Sequence, residues 1–217
     1  MDTLHILHHG DIMTEMNLVR IYQNGHKLHD IFVRFQEHYE SPEFKNKIFT
    51  KKEFFEWYAK DRGTSYYDDW AGFNLPSHIV DTFRGGAFDN LDEHEQILIK
   101  CCEGLVTPFY VIGVHGVGDM STLQHEMAHA LYYMNNEYRN RIEMVMLCLT
   151  EEENIDFDRW LKDTGYHEDV FLDEKHAYLM TNGKKMLSKD RRFISHQLCD
   201  IYNEYAPQIN FLDFGPF

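Results

Sequence analysis

Thr122-Leu123-Gln124-His125-Glu126-Met127-Ala128-His129-Ala130-Leu131 is the stretch from which the rest of the chain is read. Residues four apart on an α-helix lie about 40° from eclipsed, so His125 and His129 present their imidazoles to one ion from one helical face. Glu126 projects beside that face, within reach of a water on the ion without being a ligand itself. Zinc lowers the pKa of such a water to about 7, and a nearby carboxylate takes its proton as hydroxide attacks a carbonyl. Gln124, Met127, Ala128, Ala130 and Leu131 are uncharged, as a helix buried beneath a metal site requires. Ser121 or Thr122 is placed to cap the start of the helix. The plain alternative is an amphipathic helix with two solvated or core histidines.

A catalytic zinc takes three protein ligands and keeps a fourth position for water. The metzincin extension of the pattern needs glycine at position 132 and histidine at 135. The chain has Tyr132 and Asn135, which excludes that class. The common remaining solution is a glutamate from a later helix. Tyr166 to Met180 offers one, with Val170, Ala177 and Leu179 marking a largely buried segment. Glu174 shares a face with Ala177 and Tyr178, and a carboxylate buried there is costly without a cation. His176, Asp173, Glu168 and His167 stay in contention, His176 and Asp173 on a different face from Glu174.

In this layout the chain resembles the gluzincins, the thermolysin-like zinc peptidases in which His-Glu-x-x-His is followed by a glutamate ligand on a downstream helix. The resemblance spans roughly residues 107 to 183, and its specific part is the five-residue motif itself. It implies Zn2+ as cofactor, His125, His129 and Glu174 as ligands, Glu126 as general base, and a peptide or protein as substrate. Many gluzincins carry Asp four residues after the glutamate to orient a ligating histidine. Here that position is Tyr178, which either supports a ligand or donates to the oxyanion. Tyr166 and His167, just ahead of the ligand helix, are the other candidate oxyanion donors.

Around this centre the sequence predicts an α+β fold, predominantly helical and zincin-like, with a small sheet packed beside the active-site helix. The 217 residues, 43% hydrophobic and 15% aromatic, are read as one folded domain, with a mostly helical half over 1–104 and a zincin-like catalytic half over 105–217. Leu4 to Gly10 suggests a short strand in which His8 and His9 point to different sides. Helices are expected from His26 to about Tyr39, after the capping box Thr50-Lys51-Lys52-Glu53 with Gly63 as its stop, from Ser77 to Phe83, and from Asn90-Leu91-Asp92-Glu93 to Cys102. Thr64 to Pro76 is aromatic, polar and aperiodic and reads as a packed loop of the kind that lines clefts. Thr107 to Val114 reads as a strand, whose edge beside the metal helix would take an extended peptide as one more strand. Further helices are expected at Tyr138 to Leu149, after Thr150, and after Ser188, and the apolar tail Ile209 to Phe217 is expected to dock on the body.

A formal charge of −15 argues against a nucleic-acid surface, which needs clustered Lys and Arg. No run approaches the 18 or so apolar residues that cross a membrane, and the start Met1-Asp2-Thr3-Leu4-His5 lacks the features of a signal peptide. A cytoplasmic protein without membrane partners is expected, its oligomeric state open. Cys101, Cys102, Cys148 and Cys199 have no Cys-x-x-Cys spacing and read as reduced, buried thiols. The functional expectation is a zinc-dependent metallopeptidase. Its alternatives are a non-catalytic metal-binding or interaction protein of the same shape, and a zinc hydrolase acting on a non-peptide amide.

Overall fold

The computed structural model describes residues 16–217 apart from 64, 89 and 117, so the strand expected over Leu4 to Gly10, with His8 and His9, lies outside the described residues. Among the described residues one sheet forms, from Met16–Gln23 (β1), Gly72–Pro76 (β2), Tyr110–His115 (β3) and Ile209–Phe214 (β4), in the order β2-β3-β1-β4. β1 runs parallel to both β3 and β4, with Val19 opposite Val111 on one side and Leu212 on the other. β2 runs antiparallel to β3, Phe73 opposite Gly113. A sheet covered on both faces buries successive residues alike, and β1 buries Leu18 and Val19 side by side.

The two faces of the sheet carry two cores. Val19, Ile21, Phe73, Leu75 and Val111 pack against one layer, which contains helices His26–Glu40 (α1) and Lys51–Arg62 (α2), the short turn of helix Tyr66–Asp69 (α3), Ser77–Arg84 (α4) and Glu93–Cys101 (α5). Leu18, Tyr110, Ile112 and Val114 pack against the other, built from Met120–Met134 (α6), Asn136–Met146 (α7), Glu151–Thr164 (α8), Phe171–Met186 (α9) and Phe193–Tyr205 (α10). The chain is therefore a mixed α/β protein, predominantly helical, with its small sheet sandwiched between helices. The sheet takes β1 and β2 from the first hundred residues and β3 and β4 from the rest.

Local signals account for the helix boundaries. Thr50 and Glu53 form the expected capping box at the start of α2, and Gly63, at φ 70°, closes it in the left-handed region that favours glycine. Asp92 with Glu95 and Thr150 with Glu153 do the same for α5 and α8. Ser77 does not cap α4 with its side chain. Pro76 holds the N-cap position, because its backbone is still part of β2. The last helix starts at Phe193 and not at Ser188, since 188–192 form a turn in which Ser188 Oγ donates to Asp190 at 2.7 Å.

Three expectations about the sheet are corrected. The segment read as a packed loop between Thr64 and Pro76 contains α3 and the whole of β2, whose pairing with β3 is set by residues far off in sequence. β3 has no free edge for a peptide, because β2 and β1 flank it; the edge beside the motif helix belongs to β2. The tail does dock, and it does so as β4, tied down by Arg20 on Asp213 through two bonds of 2.7 Å. Cys101 and Cys102 are buried as expected, but Cys148 is exposed. Among the described residues no helix is long and apolar enough to cross a membrane.

Candidate metal centre

α6 carries His125 and His129. Its N-cap is Asp119, and not Ser121 or Thr122: the Asp119 carboxylate accepts from Thr122 N at 3.1 Å and from Thr122 Oγ1 at 2.6 Å. Leu123, Met127, Ala128, Ala130 and Leu131 fix the helix in the core, which turns His125, Glu126 and His129 toward α9 and β2. A single turn of 3-10 helix at Glu168–Val170 leads into α9 and delivers Glu174 opposite the two histidines.

His125, His129 and Glu174 form one cluster, with a ligand atom from each lying within 4.8 Å of the others. His125 Nε2 is 3.2 Å from His129 Nε2. Glu174 places Oε2 3.6 Å from His125 Nε2 and Oε1 3.5 Å from His129 Nε2. A tetrahedral zinc with bonds of 2.0–2.1 Å has ligand atoms about 3.3 Å apart, so these spacings suit one ion between them. Charge points the same way. Asp173 Oδ1 sits 3.0 Å from His129 Nδ1, an electrostatic contact that favours a proton on Nδ1 and turns Nε2 to the cluster. Glu174 Oε2 is buried with no hydrogen-bond partner. Two imidazole nitrogens and an unbonded carboxylate oxygen facing one another are a donor set of the kind that holds a metal ion.

Burial dominates the electrostatics. It pushes the Glu174 and Glu126 carboxyls above their ordinary range and drives the His125 imidazole down to about 4, His129 adding to that fall. Burial also opposes charge on His129, but Asp173 and Glu174 outweigh it and hold that imidazole well above its usual value. Glu40, from the last turn of α1, is pushed up by burial and then by the neighbouring Glu174.

Glu126 lies beside the cluster and is not among its three members. The residue is 5% exposed, and its Oε2 is buried and unpartnered. Asn74 of β2 stands by the carboxylate and favours its charged form. Asn74 is itself oriented by Tyr110, whose hydroxyl donates to Asn74 Oδ1 at 2.6 Å. β2 approaches so closely at Gly72 that a Cβ there would lie 2.3 Å from Glu126 Oε1 and 2.5 Å from Thr122 Cγ2. In front of His125 and Glu126 opens a cavity of about 500 Å³, walled by Trp70, Gly72, Tyr166 and Tyr178, with Tyr58, Arg62 and Asp69 also lining it.

The remaining candidates separate cleanly. Tyr178 stands over His125 with ring centres 4.6 Å apart, and its hydroxyl is 3.0 Å from that of Tyr166, both rings on the cavity wall. His167 is not in the site: its ring accepts from Asp169 N at 3.2 Å, capping the turn before α9. Glu168 is exposed in that turn. Asp173 and His176 lie behind His129, where Asp173 Oδ1 also contacts His176 Nδ1 at 3.2 Å, so Asp173 orients a histidine in place of the residue at 178. Sequence reading missed that role, as well as Gly72, Asn74, Glu40 and Arg62. The pair Asp173-Glu174 was a usable signal for the first; nothing local marks the others. Comparison of the chain with family models, curated protein sequences and solved structures finds no match.

Proposed function

We propose that the chain is a zinc-dependent metallopeptidase of gluzincin type with a zincin-like fold, Glu126 serving as general base. One observation carries the reading: His125, a member of the three-donor cluster, and Glu126, whose Oε2 is unpartnered, line one cavity. His125, His129 and Glu174 would hold zinc, which supplies a water of lowered pKa and an electrophile for the substrate carbonyl. Glu126 accepts the proton of the attacking water at its free oxygen and returns it to the departing nitrogen. Its raised pKa suits both transfers, because a base too acidic binds the proton too weakly. Asn74 and the close backbone of Gly72 hold that carboxylate in place. Tyr178 is the better-placed oxyanion donor, since its ring lies against His125 and Tyr166 steadies its hydroxyl.

An extended peptide finds little open edge on β2. Asn74 N already donates to Gln36 Oε1 at 3.1 Å, and Pro76 has no N–H to offer, so the strand-adding segment shortens to Ala71-Gly72 at the cavity wall. The test is zinc content by mass spectrometry together with a peptide-library cleavage screen on the parent protein and Glu126→Gln. The expected result is one zinc per chain in both and a rate about 10²- to 10⁴-fold lower in the variant. A Glu126→Gln protein with zinc and full rate refutes the mechanism. Zinc without cleavage of any peptide directs the search to non-peptide amides or to a metal-binding protein without turnover.

A further inference from the structure

Arg62, at the C-terminal end of α2, is the one cation among the described residues lining the cavity that also holds His125 and Glu126. Its guanidinium is pinned from two sides. Nη1 donates to the Asp163 carbonyl at 2.8 Å, at the C-terminal turn of α8. Gly165, which ends α8 at φ 114°, leaves room for the group: a Cβ there would lie 2.0 Å from Nη2. A long, flexible side chain is thus fixed in one place before anything binds.

Three other arginines show what such a fork is used for. Arg20 grips Asp213, Arg34 grips Glu95 and Arg191 grips Glu153, each through two nitrogens to the two carboxylate oxygens. Arg62 has no such partner among the described residues. Its ion pair is with Asp61, an exposed side chain whose oxygen is 3.7 Å from Nε, beyond hydrogen-bond reach, and Nε itself is unbonded. Glu37 feels the charge but forms no ion pair with Arg62. An immobilised fork without its carboxylate, at the wall of a cavity in a chain of net charge −15, is a recognition element for an incoming anion.

We infer that Arg62 binds a carboxylate of the substrate, so that the site takes peptides carrying one near the scissile bond. This rests on the peptidase reading above. The carboxylate is that of a free C-terminus or of an Asp or Glu side chain, and the two sources share the same planar two-oxygen geometry.

The test uses acetylated hexapeptide mixtures of uncharged residues in three forms: free C-terminus, amidated C-terminus, and amidated with one Glu at each position in turn. Binding is measured by equilibrium dialysis and mass spectrometry on zinc-loaded Glu126→Gln protein, with and without Arg62→Gln. Cleavage of the same mixtures is measured on the parent protein and on Arg62→Gln alone. One carboxylate-bearing form binds about ten- to a hundredfold tighter than the neutral amide, and Arg62→Gln removes that preference while leaving the neutral form unchanged. Which form shows the preference identifies the source. Arg62→Lys keeps the charge without the fork; it loses at least tenfold of the preference and serves if Arg62→Gln does not fold. No preference in the parent, a preference that survives Arg62→Gln, or an equal loss on all three forms overturns the inference. Binding preference without any cleavage leaves the inference standing and defeats the peptidase reading; cleavage without preference does the reverse.

Discussion

Gly72→Ala separates the role of Glu126 from that of the metal ligands. The added Cβ would sit 2.3 Å from Glu126 Oε1 and 2.5 Å from Thr122 Cγ2, where ordinary contacts are 3.4–4 Å, so something moves by about 1 Å. The Glu126 carboxylate is the far end of a flexible side chain and rotates away, but Thr122 Cγ2 is one bond from Cβ and its hydroxyl is tied to Asp119, so there the backbone shifts as well. Stability therefore falls by about 1–3 kcal/mol, the range for overpacking. The cost lies in catalysis. A base displaced by about 1 Å loses roughly a hundredfold in rate, equivalent to about 2.7 kcal/mol of barrier. The three atoms nearest a Cβ at 72 belong to Glu126 and Thr122 and none to His125, His129 or Glu174, so zinc content is expected to be unchanged. The assay is kcat on a cleaved peptide, with zinc stoichiometry and a thermal melt on the same preparation. A kcat within threefold of the parent in a folded, zinc-loaded Gly72→Ala protein refutes the idea that β2 positions Glu126.

Asp173→Asn keeps the shape behind His129 but no longer fixes the proton on Nδ1, and zinc affinity falls about 10- to 100-fold in chelator competition; unchanged affinity removes Asp173 from the site. Glu37→Gln tests the buried acid on α1, whose pKa burial pushes from 4.5 to about 7. A group raised in the folded state contributes stability that is fully present below its unfolded pKa and is lost as pH rises through its folded pKa. The variant therefore matches the parent below about pH 4.5, gains on it up to about pH 7, and ends at most about 3 kcal/mol more stable, read by urea unfolding at several pH values. Parallel pH profiles for the two proteins contradict this.

The parts of the fold and site that were legible in the sequence are those written in local patterns. The capping boxes at Thr50 and Thr150, the four-residue spacing of His125 and His129, and Glu174 on a buried helix each follow from residues within a few turns of one another. β1 escaped notice because both its faces are buried, which erases the alternation by which half-exposed strands are recognised. β2 escaped because five residues ending in proline become a strand only through pairing with β3, about forty residues later. Asp119 was obscured as the cap of α6 by Ser121 and Thr122, which are equally good capping types two and three positions on. Arg62 and Glu40 look like ordinary surface charges in sequence; only the packing of α1 and α2 brings them to the centre.

That packing concentrates negative charge to a degree that bears on what the centre is for. Glu37 and Glu40 from α1, Glu126 from α6 and Glu174 from α9 are each under 9% exposed. Lys175, the buried lysine next to Glu174, is engaged elsewhere, with Asp158 at 2.6 Å and Asn154 at 3.0 Å. A protein of this size has no reason of stability alone to bury four glutamates, since each costs several kcal/mol as an unpaired ion. Burial is the first cause of their upward-shifted pKa values. A divalent ion at His125, His129 and Glu174 adds two positive charges at the point where Glu40 and Glu126 already converge on Glu174. On the reading proposed above it would relieve Glu174 and lower the pKa of its neighbours by attraction. The same reading accounts for Glu126 standing outside the three-donor set: beside Asn74 and Gly72 it would be one step back from the ion, where a proton acceptor is needed.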